Sequence, residues 1–458
     1  MRVLQMTSTL AGLLMSVMSS SAAPPVAAPD LTKSITLTLP SPPDDAVLAS
    51  KGRYLAFTCP AAKQIAVVDV TKGEVAKLLP MNEADQRVAG TLTKLFVFSP
   101  QSRTMQAYKV DTWAEDGKAK PLPKGMPTDG VGTMVAAPTV DSLIMLQFPK
   151  SKSTIGYYPY GTSSVFGALN WKHFGPTNAW GPAEMRLSHN GTLLVGFGGG
   201  FAGLEAAILR NNRAEVWDDQ YKFGPIDWAM PSADGQFLYT PHGHLTRTMT
   251  FIGGQKKDQP FAFATIDSGF YLTSETDALV KHKSSPTNVV PPRNRFTSGK
   301  MPKLTLYSAD NQKIASVNDD TLDVALDLPP DKRAYFYHFA SMLVTVGGAD
   351  KKTVKLQALN TKAELDKTGG DYLIVASTPT AATRNARYSY PLEVLSKKGG
   401  VKVKLDRGHA SMKVVGTTLI WDVPGEVKEK EVEFQLSITD ASDKKILHTG
   451  RIAILSPK

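Results

Sequence analysis

The sequence of 458 residues contains a single cysteine, Cys59. A chain with one thiol forms no internal disulfide, so its stability depends on its hydrophobic core. Cys59 ends the apolar run 55–59, which is typical of a buried strand. Unpaired cysteines are usually buried, and this one has no identifiable partner that would activate a thiolate. We therefore expect Cys59 to be a buried structural thiol.

Long apolar runs are also missing. The run from Leu10 to Met18 falls short of the roughly 18–20 residues that a membrane-spanning helix needs. It follows Arg2 and precedes the small residues 19–23, which is the order found in secretory signal peptides. No later stretch is long and apolar enough to predict a transmembrane helix.

These features predict a signal peptide over residues 1–22 and a flexible segment over residues 23–33. Cleavage after Ala28 and an uncleaved anchor are the alternatives. The sequence thus predicts a mature protein that is secreted, periplasmic or attached to the cell surface.

One short phrase recurs along the chain: a small polar turn, a glycine and an apolar strand. Clear copies occupy residues 49–57, 187–195, 231–239 and 266–272, and weaker copies occupy 91–98, 140–146 and 330–336. The seven turn positions are 52, 93, 141, 191, 235, 269 and 332. Their mean spacing is about 47 residues, within the range of propeller blades.

The phrase has a simple physical reason. Asn-Gly and Asp-Gly, as at Gly191 and Gly235, tolerate positive φ and favour tight turns between antiparallel strands. A four-stranded blade buries both faces only in a ring of blades. The sequence therefore predicts an all-β chain with a roughly seven-bladed β-propeller over residues 34–364. The strand at residues 34–39 is expected to pair with the last blade and close the ring.

Residues 50–75, SKGRYLAFTCPAAKQIAVVDVTKGEV, resemble the bacterial YVTN-type, WD-repeat-like propeller blade. The resemblance extends over about 300 residues of the chain, with the strongest match in this first blade. It implies a binding platform more often than a particular reaction.

The pattern changes near Asp371, where short alternating strands are separated by glycine or proline. This pattern predicts a β-sandwich over residues 365–458. The segments SMKVVGTTLIWD at 411–422 and SITD at 437–440 resemble the cadherin-like, immunoglobulin-type modules of bacterial surface proteins. Trp421 is expected in the core of that module.

The formal net charge is +10, and part of the excess lies in one acid-free segment between residues 281 and 303. A basic segment favours an anionic partner, although a solvated surface loop is the alternative interpretation. The segment is predicted to be an insertion that loops out of a blade. The candidate ligand-binding residues are Lys281, Lys283, Arg293, Arg295, Lys300 and Lys303.

A glycine-rich segment offers a competing interpretation. Gly198, Gly200 and Gly203 match the Gly-x-Gly-x-x-Gly pattern, and Asp218 follows 20 residues after the first glycine. This arrangement resembles the dinucleotide fingerprint of flavin-dependent oxidoreductases, in which such residues hold the pyrophosphate and a ribose hydroxyl. Because a blade phrase begins at residue 187 and another follows at 231, we favour an inter-strand loop and no cofactor.

Two further constellations are alternatives. His242 and His244 have the i, i+2 spacing of a chelating pair, with His282 or Asp227 as a third ligand, but no full ligand set is visible. The carboxylates at 218, 219 and 227, and the aromatic stretch 157–180, are candidates for acid–base chemistry and sugar stacking. Blade packing is the default interpretation of the aromatic stretch. We therefore predict no metal.

Together these patterns favour an exported, non-catalytic binding or scaffold protein. Its propeller face would bind an anionic or carbohydrate ligand, with an anionic polysaccharide, another envelope component or a protein as partner. Nucleic acid is disfavoured. The alternative is a secreted propeller enzyme, either a polysaccharide hydrolase or lyase or a cofactor-dependent oxidoreductase.

Overall fold

A computed structural model describes residues 31–83, 85–122, 133–141, 144–147, 154–158, 166–170, 184–197, 204–210, 213–218, 228–253, 259–274, 279–281, 296–429 and 431–455. Residues 1–22, the predicted signal peptide, lie outside these ranges. The described part is built from β-strands, with one α-helix, α1 (Thr361–Lys367), and short 3-10 turns at Pro60–Ala62, Asp320–Leu322 and Pro330–Lys332. No helix in the described ranges is long and apolar enough to cross a membrane.

The strands before α1 are β1 (Ile35–Thr38), β2 (Asp45–Ala49), β3 (Tyr54–Cys59), β4 (Gln64–Asp69), β5 (Glu74–Pro80), β6 (Arg87–Gly90), β7 (Lys94–Ser99), β8 (Thr104–Lys109), β9 (Lys120–Pro121), β10 (Thr133–Val135), β11 (Ile144–Gln147), β12 (Thr154–Tyr158), β13 (Phe166–Asn170), β14 (Glu184–Leu187), β15 (Leu193–Phe197), β16 (Glu205–Arg210), β17 (Arg213–Asp218), β18 (Met230–Pro231), β19 (Phe237–Thr240), β20 (Gly243–Thr246), β21 (Phe261–Ala264), β22 (Phe270–Ser274), β23 (Leu279–Lys281), β24 (Phe296–Ser298), β25 (Lys303–Ser308), β26 (Lys313–Asn318), β27 (Ala334–Tyr337), β28 (Met342–Gly347) and β29 (Thr353–Ala358).

These strands form seven antiparallel sheets in chain order within the described residues. Sheets 1 to 7 are β2–β5, β6–β9, β10–β13, β14–β17, β18–β20, β21-β22-β25-β26 and β27-β28-β29-β1. Residues 275–302 are inserted between the paired strands β22 and β25, and β23 and β24 form a small sheet within this insertion. The expectation of an insertion here is therefore confirmed.

The sheets are arranged in a closed ring. The first strand of each sheet contacts the first strand of the next, from β2 through β6, β10, β14 and β18 to β21. The turn Pro330–Lys332, just before β27, contacts both β21 and β2. The chain therefore contains a β-propeller, as the repeats predicted.

Strand β1 closes the ring. It pairs antiparallel with β29, with Ile35 opposite Leu356 and Leu37 opposite Val354. The last sheet therefore combines strands from both ends of the ring, which joins segments more than 300 residues apart. The predicted pairing of this strand with the last blade is confirmed.

The recurring phrase encodes the turn between the first and second strands of a sheet. In sheet 4, the Ser188 hydroxyl accepts hydrogen bonds from the backbone N–H groups of Thr192 and Leu193 and donates one to Asn190. Ser232 makes the same three bonds, with Gln236, Phe237 and Asp234, in sheet 5.

The glycine inside each of these two turns has positive φ, +76° at Gly191 and +65° at Gly235, as a tight turn requires. Six of the seven predicted turn positions lie between the first two strands of a sheet. Position 332 is the exception, because it precedes the first strand of sheet 7 and the corresponding turn follows Tyr337.

Buried apolar side chains fill the space between neighbouring sheets. Successive residues of β3 point to opposite sides, so Leu55, Phe57 and Cys59 pack towards sheet 7, and Tyr54 and Ala56 pack towards sheet 2. Cys59 is fully buried, and burial raises the pKa of its thiol to about 11. The prediction of a buried structural thiol is confirmed.

The strands after α1 are β30 (Leu373–Val375), β31 (Ala382–Thr383), β32 (Arg387–Pro391), β33 (Val394–Ser396), β34 (Lys402–Arg407), β35 (Met412–Val415), β36 (Thr418–Asp422), β37 (Glu431–Thr439) and β38 (Lys445–Leu455). They pair as β30-β33, β31-β38-β37-β34 and β32-β36-β35. Their apolar side chains share one cluster, in which Trp421 is fully buried as predicted. The predicted boundary at 364/365 falls inside α1.

The C-terminal strands lie against the turns of sheets 5, 6 and 7. The Ser268 hydroxyl donates to the carbonyl oxygen of Ser377 at 2.6 Å. His338 Nε2 lies 3.1 Å from Glu393 Oε1, and Arg247 lies 3.7 Å from Glu433. These contacts cover part of one face of the ring.

Candidate functional site

The structure describes only part of the predicted basic ligand site. Lys281 ends β23, and Lys283, Arg293 and Arg295 lie outside the described residues. Lys300 is exposed with its Nζ atom 3.2 Å from Asp323 Oδ1, and Lys303 is exposed at the start of β25. An anionic ligand for the whole segment stays a prediction.

The glycine motif lies between two antiparallel strands. Gly198, Gly200 and Gly203 are outside the described residues, but β15 before them pairs antiparallel with β16 after them. Residues 205–210 are a strand, whereas a dinucleotide fingerprint requires a helix whose N-terminus faces the pyrophosphate. Asp218 ends β17 opposite Glu205. The dinucleotide-binding alternative therefore lacks the helix that its fingerprint requires at residues 205–210.

His242 and His244 flank the start of β20. His242 lies in the turn, and its backbone N–H donates to Thr240 Oγ1 at 3.2 Å. The ring of His244 instead contacts Tyr239 and Tyr271, each 4.9 Å away between centroids. Among the described residues no three histidine, cysteine or acidic side chains are grouped to hold a metal ion. His282, Asp219 and Asp227 lie outside them.

The predicted aromatic stretch 157–180 is described only in part. Tyr157 and Tyr158 lie on β12, and most of the remainder is outside the described residues. Its role in sugar stacking stays a prediction.

The site best defined by the described residues is a groove of about 210 Å³ between sheets 5 and 6. Sheet 5 has three named strands among the described residues, whereas sheet 6 has four. After β20 the chain folds back alongside it: Leu245 forms an antiparallel bridge with Phe251, the Ile252 N–H donates to the His244 carbonyl at 2.8 Å, and Ile252 lines the groove. We call this feature the tyrosine groove; it is lined by Thr240, His244, Gln259, Tyr271, Thr273, Tyr307 and Asn311, together with small and apolar neighbours.

Strand alternation makes the wall of the groove polar. In β22, Phe270, Tyr271 and Leu272 all belong to the buried apolar cluster, and Tyr271 and Thr273, on the same side of the strand, also line the groove. Tyr307 on β25 lies opposite Tyr271 in the register of the sheet. Because successive residues of a strand point to opposite faces, one sheet supplies both the core and the groove wall.

Three tyrosine rings form a stack behind the groove. Tyr271 stacks on Tyr239 at 5.1 Å and on Tyr307 at 5.2 Å between centroids. Tyr271 and Tyr239 are both buried. Tyr307 ends the stack and is only half-buried, so it is the ring of the three that can stack on a ligand.

Hydrogen-bonding groups surround this ring. The Tyr271 hydroxyl donates to Asn311 Oδ1 at 2.8 Å, and the Asn311 side chain is exposed. Burial raises the pKa of Tyr271 and of Tyr239, so both phenols stay neutral in ordinary buffers. None of the described lining residues is charged. The groove is thus suited to an uncharged polar ligand with one flat apolar face.

A second polar cluster lies near the axis of the ring. Arg186 binds Asp331 through Nε at 2.7 Å and binds Glu184 through Nη1 at 3.0 Å. Burial alone would lower the pKa of Arg186, but the two carboxylates raise it. Lys332 forms an ion pair with Asp45. The cluster contains two cations and three carboxylates, and its ion pairs join sheets 1, 4 and 7.

Sequence reasoning missed the tyrosine groove. A signal was present, because Tyr239, Tyr271 and Tyr307 recur at intervals of 32 and 36 residues in strand-like segments. This recurrence is typical of strand residues, and the structure places Tyr239 in sheet 5 and both Tyr271 and Tyr307 on paired strands of sheet 6. The recurrence does not show that three rings from two sheets stack on one another.

No protein-family model matches the chain, and no curated protein matches it. Among solved structures, a chain of the mitotic checkpoint complex is 11% identical with a TM-score of 0.47, covering 79% of this chain and 99% of that one. The β-propeller domain of Cps50 (Swd1) from Myceliophteria thermophila is 10% identical with a TM-score of 0.41, covering 72% and 99%. The structure of U3-55K gives 9% identity, a TM-score of 0.45, and coverage of 71% and 98%. Scores at this level say nothing about what this chain binds.

Proposed function

We propose that this chain is an exported, non-catalytic binding protein whose propeller binds a neutral carbohydrate in the tyrosine groove. The observation that carries the proposal is the half-buried ring of Tyr307, at the end of the tyrosine stack and beside the exposed amide of Asn311. The sequence admits an anionic or a carbohydrate ligand, and the uncharged lining of the groove favours the second.

A pyranose ring fits this chemistry. Its apolar C–H face can lie on the Tyr307 ring, while its hydroxyl groups both donate and accept hydrogen bonds. The exposed amide of Asn311 and the half-buried amide of Gln259 provide donors and acceptors in the groove. An ionised ligand would lose water in the groove without gaining a counter-charge from the described lining residues, which is costly.

The other described concave features do not favour catalysis. The charges at the ring axis are paired with one another, and no carboxylate is among the described residues that line the groove. Glycoside hydrolysis by the usual route needs two carboxyl groups on either side of the bond. A binding role therefore fits the described groove better than the hydrolase alternative.

The C-terminal region is proposed to be an immunoglobulin-like, cadherin-like β-sandwich that serves as a spacer or adhesion module. The sheets β31-β38-β37-β34 and β32-β36-β35 share the apolar cluster around Trp421, which supports this reading. Export through the signal peptide at residues 1–22 would place both parts at the cell envelope.

The test is calorimetric titration of the mature protein with neutral oligosaccharides chosen from a glycan array. Tyr307→Ala removes the stacking surface and should weaken binding about tenfold, since ring contacts contribute about 0.5–1.5 kcal/mol beyond burial. Tyr307→Phe keeps the ring and should retain most of the affinity. Phe339→Ala, which removes an exposed aromatic ring elsewhere, should have no effect.

Equal affinity in the wild type and Tyr307→Ala would place the sugar elsewhere. Binding to acidic glycans only, weakened by salt, would instead support the basic segment at residues 281–303. Release of new reducing ends would favour the enzyme alternative.

A further inference from the structure

The channel along the axis of the ring is closed at one end by turns that meet across it. The Lys51 backbone N–H, in sheet 1, donates to the Pro138 carbonyl in sheet 3 at 2.8 Å. The His189 ring, in sheet 4, is bonded to the Ile266 carbonyl in sheet 6 at 3.1 Å. Each contact skips a sheet, so these turns reach into the channel.

Gly52 completes the closure. A Cβ atom on Gly52 would lie 2.8 Å from the Ile266 side chain and 3.2 Å from Tyr337. Residues from sheets 1, 6 and 7 therefore touch at this end of the axis. The space below them is a blind pocket of about 110 Å³, which we call the axial pocket.

The wall of the axial pocket is mainly apolar, and its polar members are Thr133, Arg186, His189, Asp331, Lys332 and Tyr335. It includes Val47, Val135, Leu187 and Ala264, one from each of four sheets, and all four are only half-buried. Leu187 and Val135 belong to none of the apolar clusters between the sheets. These side chains therefore border the pocket itself.

The polar groups of the pocket already have partners. Arg186 and Asp331 are bonded to each other, and Lys332 is paired with Asp45. The His189 ring nitrogen is bonded to Ile266, and burial lowers the pKa of that imidazole. A charged ligand would have to break these pairs, whereas an apolar one would not.

We propose that the axial pocket binds one small, uncharged apolar molecule. An enclosed apolar cavity of about 150 Å³ binds benzene or xenon; the axial pocket has a volume of the same order and a mainly apolar wall, but it is not enclosed. This site is independent of the tyrosine groove, because the two share no lining residue. It would give the protein an affinity for small aromatic or branched aliphatic compounds.

The test measures the melting temperature of the mature protein over a benzene series and the chemical shift of dissolved ¹²⁹Xe. We expect a benzene-dependent rise in melting temperature and a xenon shift that saturates. Val135→Phe and Leu187→Phe each fill the pocket, and both should abolish these responses. The control is Val415→Phe, the same change from valine to phenylalanine at an exposed position of β35. It should leave both responses intact.

Two filled variants are used because one of them can fail to fold. A response that persists in a folded filled variant would overturn the proposal, because benzene and xenon would then bind elsewhere. Absence of both responses in the wild type would also overturn it and would indicate a pocket occupied by water. Either result leaves the carbohydrate proposal untouched, since that test uses different residues.

Discussion

Gly269 lies directly against Val375. A Cβ atom added to Gly269 would stand 2.2 Å from the Val375 carbonyl oxygen, and the φ of Gly269 is +88°. The turn between β21 and β22 thus touches the backbone of the C-terminal region, where any larger residue would force the two apart. The neighbouring Ser268 fixes the same contact through its bond to Ser377.

Replacement of Gly269 by alanine should therefore weaken the attachment of the C-terminal region to the ring. Gly117→Ala is the matched control, because Gly117 has φ +80° and nothing within 4 Å of the added atom. The control should cost about 1 kcal/mol from backbone strain alone, and Gly269→Ala should cost clearly more. Denaturant midpoints and limited proteolysis near residues 359–371 measure the difference; equal midpoints would contradict the contact.

The Asp267 carboxylate should make stability depend on pH. Burial, the largest effect, raises its pKa to about 6; His338 lowers the pKa and Glu393 raises it by smaller amounts. Since the folded chain binds this proton more tightly than the unfolded chain, the stability from protonated Asp267 is complete below about pH 4 and is lost as the pH rises through 6.

The Asp267 carboxylate accepts a hydrogen bond from the backbone N–H of His338 at 3.0 Å. Asp267→Asn keeps an oxygen that can accept this bond and removes the buried charge. The variant should be more stable than the wild type at pH 7.5, by about 2 kcal/mol, and the gain should vanish near pH 4. Urea denaturation at both pH values checks this. Asp443→Asn, at an exposed position, serves as the control. A gain that is the same at both pH values would refute the assignment.

Arg333 should be essential for the stability of sheet 7. It is fully buried, and its guanidinium donates to Ser298 Oγ at 2.7 Å, Gly299 O at 2.9 Å and Val346 O at 3.1 Å. Arg333→Lys cannot make this fork of bonds. We expect a loss of about 3 kcal/mol, because each buried group left unbonded costs about 1–3 kcal/mol.

Chemical denaturation of Arg333→Lys measures this loss. Arg387→Lys, at an exposed position of β32, should change stability by less than about 0.5 kcal/mol. A similar small change at Arg333 would show that the three bonds contribute little.

Closure of the ring by β1 can be tested by comparing substitutions on the two faces of this strand. Ile35 and Leu37 are half-buried against the core of sheets 7 and 1, whereas Thr36 and Thr38 are exposed. Replacing the two inner residues by serine should cost about 2–4 kcal/mol, given about 1.5–3 kcal/mol for each fully buried side chain. The matched change of both threonines to serine should cost far less. Thermal unfolding of the two double variants compares them, and equal melting temperatures would argue against ring closure by β1.

Much of the fold follows from local sequence. Gly191 and Gly235 mark turns because glycine adopts positive φ without strain, and the serine three residues before each binds the backbone of its own turn. The apolar pattern of residues 55–59 predicted a buried strand, since both faces of a blade are covered. These features involve residues close in the chain, so the sequence alone determines them.

Only the tertiary structure decides the remainder. The pairing of β1 with β29 depends on the bend accumulated over seven sheets, and the tyrosine groove is lined by residues of two neighbouring sheets. The stack of Tyr239, Tyr271 and Tyr307 and the contact of His189 with Ile266 join residues far apart in sequence. Such contacts depend on the relative placement of whole sheets, which a local pattern of residues does not specify.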